Sequence, residues 1–152
     1  MKLAEALMLR GDLQRKLSEL NLRLGNNAVV QEGEQPAEDP YALMQQADEI
    51  FAQLEQLIAK INLTNARLVA DGKTMTELLA SRECLKKQVS MGRDFLNNAS
   101  STGHRARGSE IKVISTVPVA ELQKQIDGKA QQLRKLEVRI QELNWISDLI
   151  EA

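Results

Sequence analysis

Apolar residues recur along this chain at the three- and four-residue spacings that gather them on one side of an α-helix. The most regular run is Leu43, Ala47, Ile50, Leu54, Leu57, Ile61, Thr64 and Leu68. Seven of these eight are apolar, and the alternation of fours and threes is that of a helix packed along a seam. Asp39 precedes the run as a natural cap, and Pro40 fits the first helical position, where its missing N–H is no loss. The pattern predicts a helix over 40–69.

Three further helices follow from the same reasoning. Leu13, Leu17, Leu20 and Leu24 define a first helix over 3–24, with Gly25 placed to end it. Thr74 to Glu77 has the Thr-x-x-Glu form of a capping box, with Thr76 as a competing cap. It opens a third helix over 75–99, whose stripe is Leu78, Arg82, Leu85, Val89, Phe95, Leu96 and Ala99. Gly92 weakens that helix or allows a neighbour to approach closely. The fourth helix covers 119–150 through Leu122, Ile126, Leu133, Leu136, Ile140, Leu143 and Ile150, with Lys129 where one more apolar residue is expected.

Connection lengths constrain the topology. The second and third helices are joined only by a short turn at Asp71-Gly72, so they run antiparallel. The other two connections are long, and each contains a β-prone piece: 28–31 and 111–117. In an up-down-up-down bundle both lie at one end, where they are expected to pair. The expected fold is therefore mainly α: one domain over 1–152, four long helices in an antiparallel bundle, and a small β element formed by the two long connections. The second and fourth helices would be roughly 40–45 Å long. The other two are shorter, which leaves apolar stripe uncovered and favours a homo-oligomer.

Composition agrees with helix-on-helix packing. Aromatic residues are only 3%, so Leu, Ile, Val, Ala and Met fill the core. The net charge of −1, with acids and bases mixed throughout, speaks against nucleic-acid binding. No apolar stretch reaches the roughly 18 residues of a membrane span. No signal peptide is apparent at the start, so a cytoplasmic location is expected.

Catalytic signatures do not emerge. The single histidine, His104, belongs to a Ser/Gly-rich loop and no Glu-x-x-His accompanies it, so a di-iron site is not expected. Cys84 lacks a partner at zinc-ligand spacing; flanked by Glu83 and Leu85 in mid-helix, it reads as a half-buried packing residue. There is no Gly-rich phosphate loop and no nucleophile elbow. No catalytic residue, metal or cofactor is expected.

Polar groups gather in three places. An acidic loop runs from Glu32 and Glu34 to Glu38 and Asp39, and reads either as a cation site or as a solvated loop before a helix. A basic loop, His104 to Arg107, is suited to an anion, an acidic partner, or the acidic loop itself. Asn62, Thr64 and Asn65 interrupt the second helix, while Asn144 precedes Trp145, an expected anchor at a bundle end or subunit contact. Buried polar groups in a bundle fix register or oligomer number, or line a pocket.

The stretches Lys2–Leu7, Asn26–Ala28, Gln31–Glu34, Pro36–Pro40, Ile61-Asn62, Thr64-Asn65, Glu110–Lys112 and Ile140–Trp145 resemble a family of small bacterial proteins often labelled septicolysin. The resemblance covers nearly the whole chain and implies a helical protein, with no catalytic residue to carry over. Pore formation is not expected of a chain with one Trp and a mid-helix cysteine.

Two functional readings follow. The first is an oligomeric structural or interaction protein, with a protein partner or another subunit docking at the loop end. The alternative is a small-ligand- or metal-binding protein, or an enzyme, with a polar site of Glu32, Glu34, Asn62, Asn65, Arg105 and Arg107.

Overall fold

The computed structural model describes residues 1–102 and 111–151. Its helices are α1 (Leu3–Asn26), α2 (Pro40–Arg67), α3 (Met75–Ala99) and α4 (Val119–Ile146), and two short strands, β1 (Val69–Ala70) and β2 (Lys73–Thr74), lie between α2 and α3. The expectation of a mainly α fold of four long helices with a small β element holds.

Local chemistry sets the boundaries. The Asp39 side chain accepts the Tyr41 N–H at 3.1 Å, with Pro40 in the first turn. Thr74, not Thr76, caps α3: its hydroxyl accepts the Glu77 N–H at 3.1 Å, and the Glu77 carboxylate accepts the Thr74 N–H at 3.0 Å. Asp71 and Gly72 have φ of 56° and 78°. Positive φ at both central positions suits a tight hairpin turn, and β1 pairs with β2 across it.

The β structure thus lies elsewhere than expected. Residues 28–31 form no strand, and within 111–117 only Lys112 makes a single bridge. β-branched side chains favour a strand only where a partner supplies the ladder. In the first connection the backbone is tied by side chains instead: Asn27 Oδ1 accepts the Glu38 N–H at 3.0 Å. In the second, the Ser115 hydroxyl turns the chain by bonding the Val117 carbonyl at 3.0 Å.

Packing divides the chain into two compact units. The first holds residues 1–70 with the stretch from Leu143 onward. Here α1 and α2 form an antiparallel hairpin: Arg23, near the end of α1, pairs with Glu38 just before α2. The seam is as the sequence predicts. Leu43, Leu54, Leu57, Ile61 and Thr64 are buried, as are Leu13 and Leu20 of α1. Each such aliphatic side chain contributes roughly 1.5–3 kcal/mol by leaving water.

The last turn of α4 corrects an expectation. The helix stops at Ile146 rather than 150, and the chain then runs beside residues 1–3 as an antiparallel bridge, Lys2 to Asp148. The Leu3 N–H donates to the Ser147 carbonyl and the Leu149 N–H to the Met1 carbonyl, both at 2.9 Å. The Thr64 hydroxyl closes the arrangement. It donates to the Lys60 carbonyl at 2.8 Å and accepts the Ile150 N–H at 2.9 Å. Two ion pairs flank it, Lys2 with Asp148 and Lys60 with Glu151, each at 2.8 Å.

The second unit, residues 71–142, contains α3 and most of α4, also antiparallel: Lys86 faces Glu137, and Gly92 faces Ile126. A Cβ at Gly92 would meet Ile126 Cγ1 at 3.0 Å, so the glycine permits the close approach. The expected stripes shift slightly. Phe95 is exposed while Leu96 is half-buried; Lys129 is exposed and Ala130 takes the buried position. Arg139 of α4 holds the turn residue Asp71 at 2.8 Å.

Three outcomes are expected. Thr64→Val keeps the shape but leaves the part-buried Ile150 N–H without its partner, so urea denaturation should show a loss of about 1–3 kcal/mol. The Ile150 amide should then exchange faster than in the parent. Gly92→Leu should destabilise by about 1–3 kcal/mol through overpacking against Ile126, whereas Gly11→Ala, with open space around it, should stabilise by up to about 1 kcal/mol.

The third concerns pH. Hydrogen bonds hold four carboxyls below their ordinary range: Glu38 by Arg23, Asp71 by Arg139, Asp148 by Lys2 and Glu151 by Lys60. Unfolding releases these groups to their ordinary, higher values, so the unfolded state takes up protons first as pH falls. The stabilisation is complete above the ordinary carboxylate range and is lost as pH drops through the depressed folded values. The urea midpoint should therefore fall between about pH 5.5 and about pH 3, and fall less in high salt, which already screens such exposed pairs.

Candidate functional site

Three surface features of the described residues stand out, two on the α1–α2 hairpin and one in the second unit. On one flank of the hairpin is a groove of about 250 Å³. Leu13, Leu57 and Leu149 make its apolar floor, all buried. Gln53 and Gln56 line its rim, and the Lys60–Glu151 pair stands at one end. The register of α2 explains the mixture: Gln53, Gln56 and Lys60 keep the four-three spacing of a helix face, one step round from the core seam.

The other flank of α2 carries a second apolar line. Met44, Phe51 and Ile58 are seven residues apart. Taken with Ala47, Leu54 and Ile61 they form another four-three seam that shares those residues with the first. Ile58 is half-buried, but Met44 and Phe51 are 51% and 56% exposed. The sequence contained this signal, interleaved with the stronger stripe. A matching exposed line exists on α1, where Met8 and Leu22 flank Arg15 at the same seven-residue spacing.

In the second unit, Arg82, Lys86 and Arg134 gather with Glu137 around an open groove of about 600 Å³. Lys86 Nζ lies 3.7 Å from Glu137. Arg82 was visible in the sequence only as a polar break in the α3 stripe.

Among the described residues, the acids and the amides singled out from the sequence do not form one site. Glu32 and Glu34 sit exposed in the α1–α2 connection, where the Glu34 N–H closes a turn on the Gln31 carbonyl. Asn62 is exposed and Asn65 half-buried, more than twenty residues into α2. At about 1.5 Å per residue that places them more than about 30 Å along the helix from its start. Arg105, Arg107 and His104 lie outside the described residues. Of the polar breaks in the α2 seam, Thr64 alone is buried, and its role is structural.

One further expectation is corrected. Cys84 is exposed rather than half-buried, on the outer side of α3. Trp145 is 55% exposed, and Asn144 beside it is the buried member of the pair. A helix turns about 100° per residue, so adjacent residues occupy different faces. Among the described residues no group of three or more His, Cys, Asp or Glu is placed to hold a metal. No described helix is long and apolar enough to cross a membrane.

Comparison with known proteins supplies a family. A solved structure described as a functionally unknown conserved protein from Corynebacterium diphtheriae is similar to this chain at 38% identity, with a TM-score of 0.92, over 99% of each chain. No curated protein matches. Residues 10–149 match the model of a family of unknown function, DUF6847. Neither description carries the septicolysin label, so the sequence resemblance is narrowed to this grouping. The chain belongs to the DUF6847 family.

Proposed function

We propose that this protein is a non-catalytic interaction protein that associates with a second copy of itself through the outer flank of α2. The observation that carries this reading is the second seam, with Met44 and Phe51 left in water beside a well-packed core. A helix that needs one partner carries one stripe; α2 carries two, and α1 covers one of them.

Charge supports α1 of the second copy as the surface that meets this flank. Beside the exposed seam, residues 40–59 carry Asp48 and Glu55 and no base; Glu49 shares the face of Gln53, Gln56 and Lys60. Residues 8–26 carry Arg10, Arg15, Lys16 and Arg23 against Asp12 and Glu19. Setting α2 of each copy on α1 of the other brings Met44 and Phe51 toward Met8 and Leu22, and the acids toward Arg15. The contact is self-complementary, so a two-fold axis closes it without leaving a free edge. An α2-on-α2 arrangement would instead bring like charges together.

Light scattering at micromolar concentration should report a dimer. Phe51→Glu and Leu22→Glu, each a change at an exposed position, should weaken association about tenfold or more while leaving circular dichroism unchanged. A monodisperse parent monomer would sink the reading. A dimer indifferent to both substitutions would show that another surface is used.

A further inference from the structure

We propose that the groove between α3 and α4 binds a small phosphate monoester, with the phosphate between Arg82 and Arg134 and the organic body over Val138. The groove belongs wholly to the second unit, so the proposal stands independently of self-association through α2.

Charge selects the sign of the ligand. Arg82, Lys86 and Arg134 line the groove against one carboxylate, Glu137. Lys86 stands 3.7 Å from Glu137, so that pair carries little net charge. Glu83, the next acid along α3, is paired with Lys87 at 3.3 Å. Among the described residues Arg82 and Arg134 make no ion pair or side-chain hydrogen bond. Two guanidiniums thus face one groove with no anion to answer either. A negative group placed between them gains attraction from both helices at once.

Shape narrows the ligand further. Arg82 comes from α3 and Arg134 from α4, so donors enter from two sides. A planar carboxylate offers one edge, which a single guanidinium fork fills. A phosphate monoester has three free oxygens in a tetrahedral array and a charge near −2 at neutral pH, so it can accept from both forks. The groove, about 600 Å³, leaves space for a body beside the phosphate. Val138 gives that body something to cover, because it is 69% exposed. No aromatic side chain is among the lining residues, which favours a small aliphatic body over a nucleotide base.

The test is a titration of the full chain with propyl phosphate, followed by amide NMR. Saturable shifts should appear at the lining residues of α3 and α4. Arg82→Gln and Arg134→Gln should each weaken binding about fivefold or more, while Glu137→Gln should strengthen it about twofold. Lys124→Gln, at an exposed position of α4 outside the groove, should leave binding unchanged. Inorganic phosphate should bind about threefold more weakly than propyl phosphate, and Val138→Ser should erase that difference. Butyrate, with the same propyl body on a carboxylate, should bind about tenfold more weakly. Circular dichroism should be the same for every variant. Shifts that do not saturate, equal losses in Lys124→Gln and Arg134→Gln, or butyrate binding as tightly as propyl phosphate would each overturn the proposal.

Discussion

A hydroxyl taken out of water loses free energy unless its donor and its acceptor are both used. Thr64 uses both, and the geometry of the first unit follows from how it does so. Its proton goes back to the Lys60 carbonyl, one helical turn earlier, which fixes the rotamer and leaves a lone pair directed away from the helix. The Ile150 N–H fills that lone pair. Because this partner is a backbone group far along the chain, one side chain in the middle of an apolar seam determines where the segment after α4 lies. The Lys2–Asp148 bridge carries that placement to the start of α1. A valine of the same shape would pack equally well and hold nothing.

The tie also accounts for the limits of what the sequence disclosed. The seam of α2, its Asp39–Pro40 start, the Thr74–Glu77 box and the Asp71–Gly72 turn were all legible, because each rests on chemistry within a few residues. The end of α4 was not. Ile150 falls at a helical spacing from Leu143, so local pattern alone extends the helix; what stops it is a set of hydrogen-bond partners, the backbone of Met1 and Leu3 and the Thr64 hydroxyl. The β-prone runs at 28–31 and 111–117 erred for the converse reason. Their composition suits a strand, but 28–31 forms none and 111–117 makes only the single bridge at Lys112. Thr64 itself was noticed as a break in the seam, yet nothing local distinguished it from Asn62 and Asn65, which lie on other faces of the same helix.

The candidate site shows the same division. Sequence reasoning gathered acids, bases and amides into one site by assuming that long connections meet at one end. In the first connection Arg23 holds the Glu38 carboxylate and Asn27 accepts the Glu38 N–H, while Glu32 and Glu34 stay exposed. The amides of α2 belong to the other end of that helix. What was overlooked is less conspicuous chemistry: glutamines and a lysine at helical spacing beside buried leucines, and a second apolar line interleaved with the first. Both signals are present in the sequence, but they gain meaning only when burial separates the residues α1 covers from those it leaves in water.

α2 therefore presents three faces of different character. The central stripe, Leu43 to Leu68, closes on α1 and contains the tie at Thr64. One flank presents Gln53, Gln56 and Lys60 over a leucine floor; the other presents Met44 and Phe51. The faces differ in what a change there would do. Loss of an aliphatic group from the centre removes burial on which the hairpin depends, whereas the flanks are already in contact with water, and substitutions there perturb folding little. A folded unit with two changeable surfaces on a fixed core is the physical condition for binding that varies while the fold is kept. It also fits a relative that preserves the whole architecture at 38% identity.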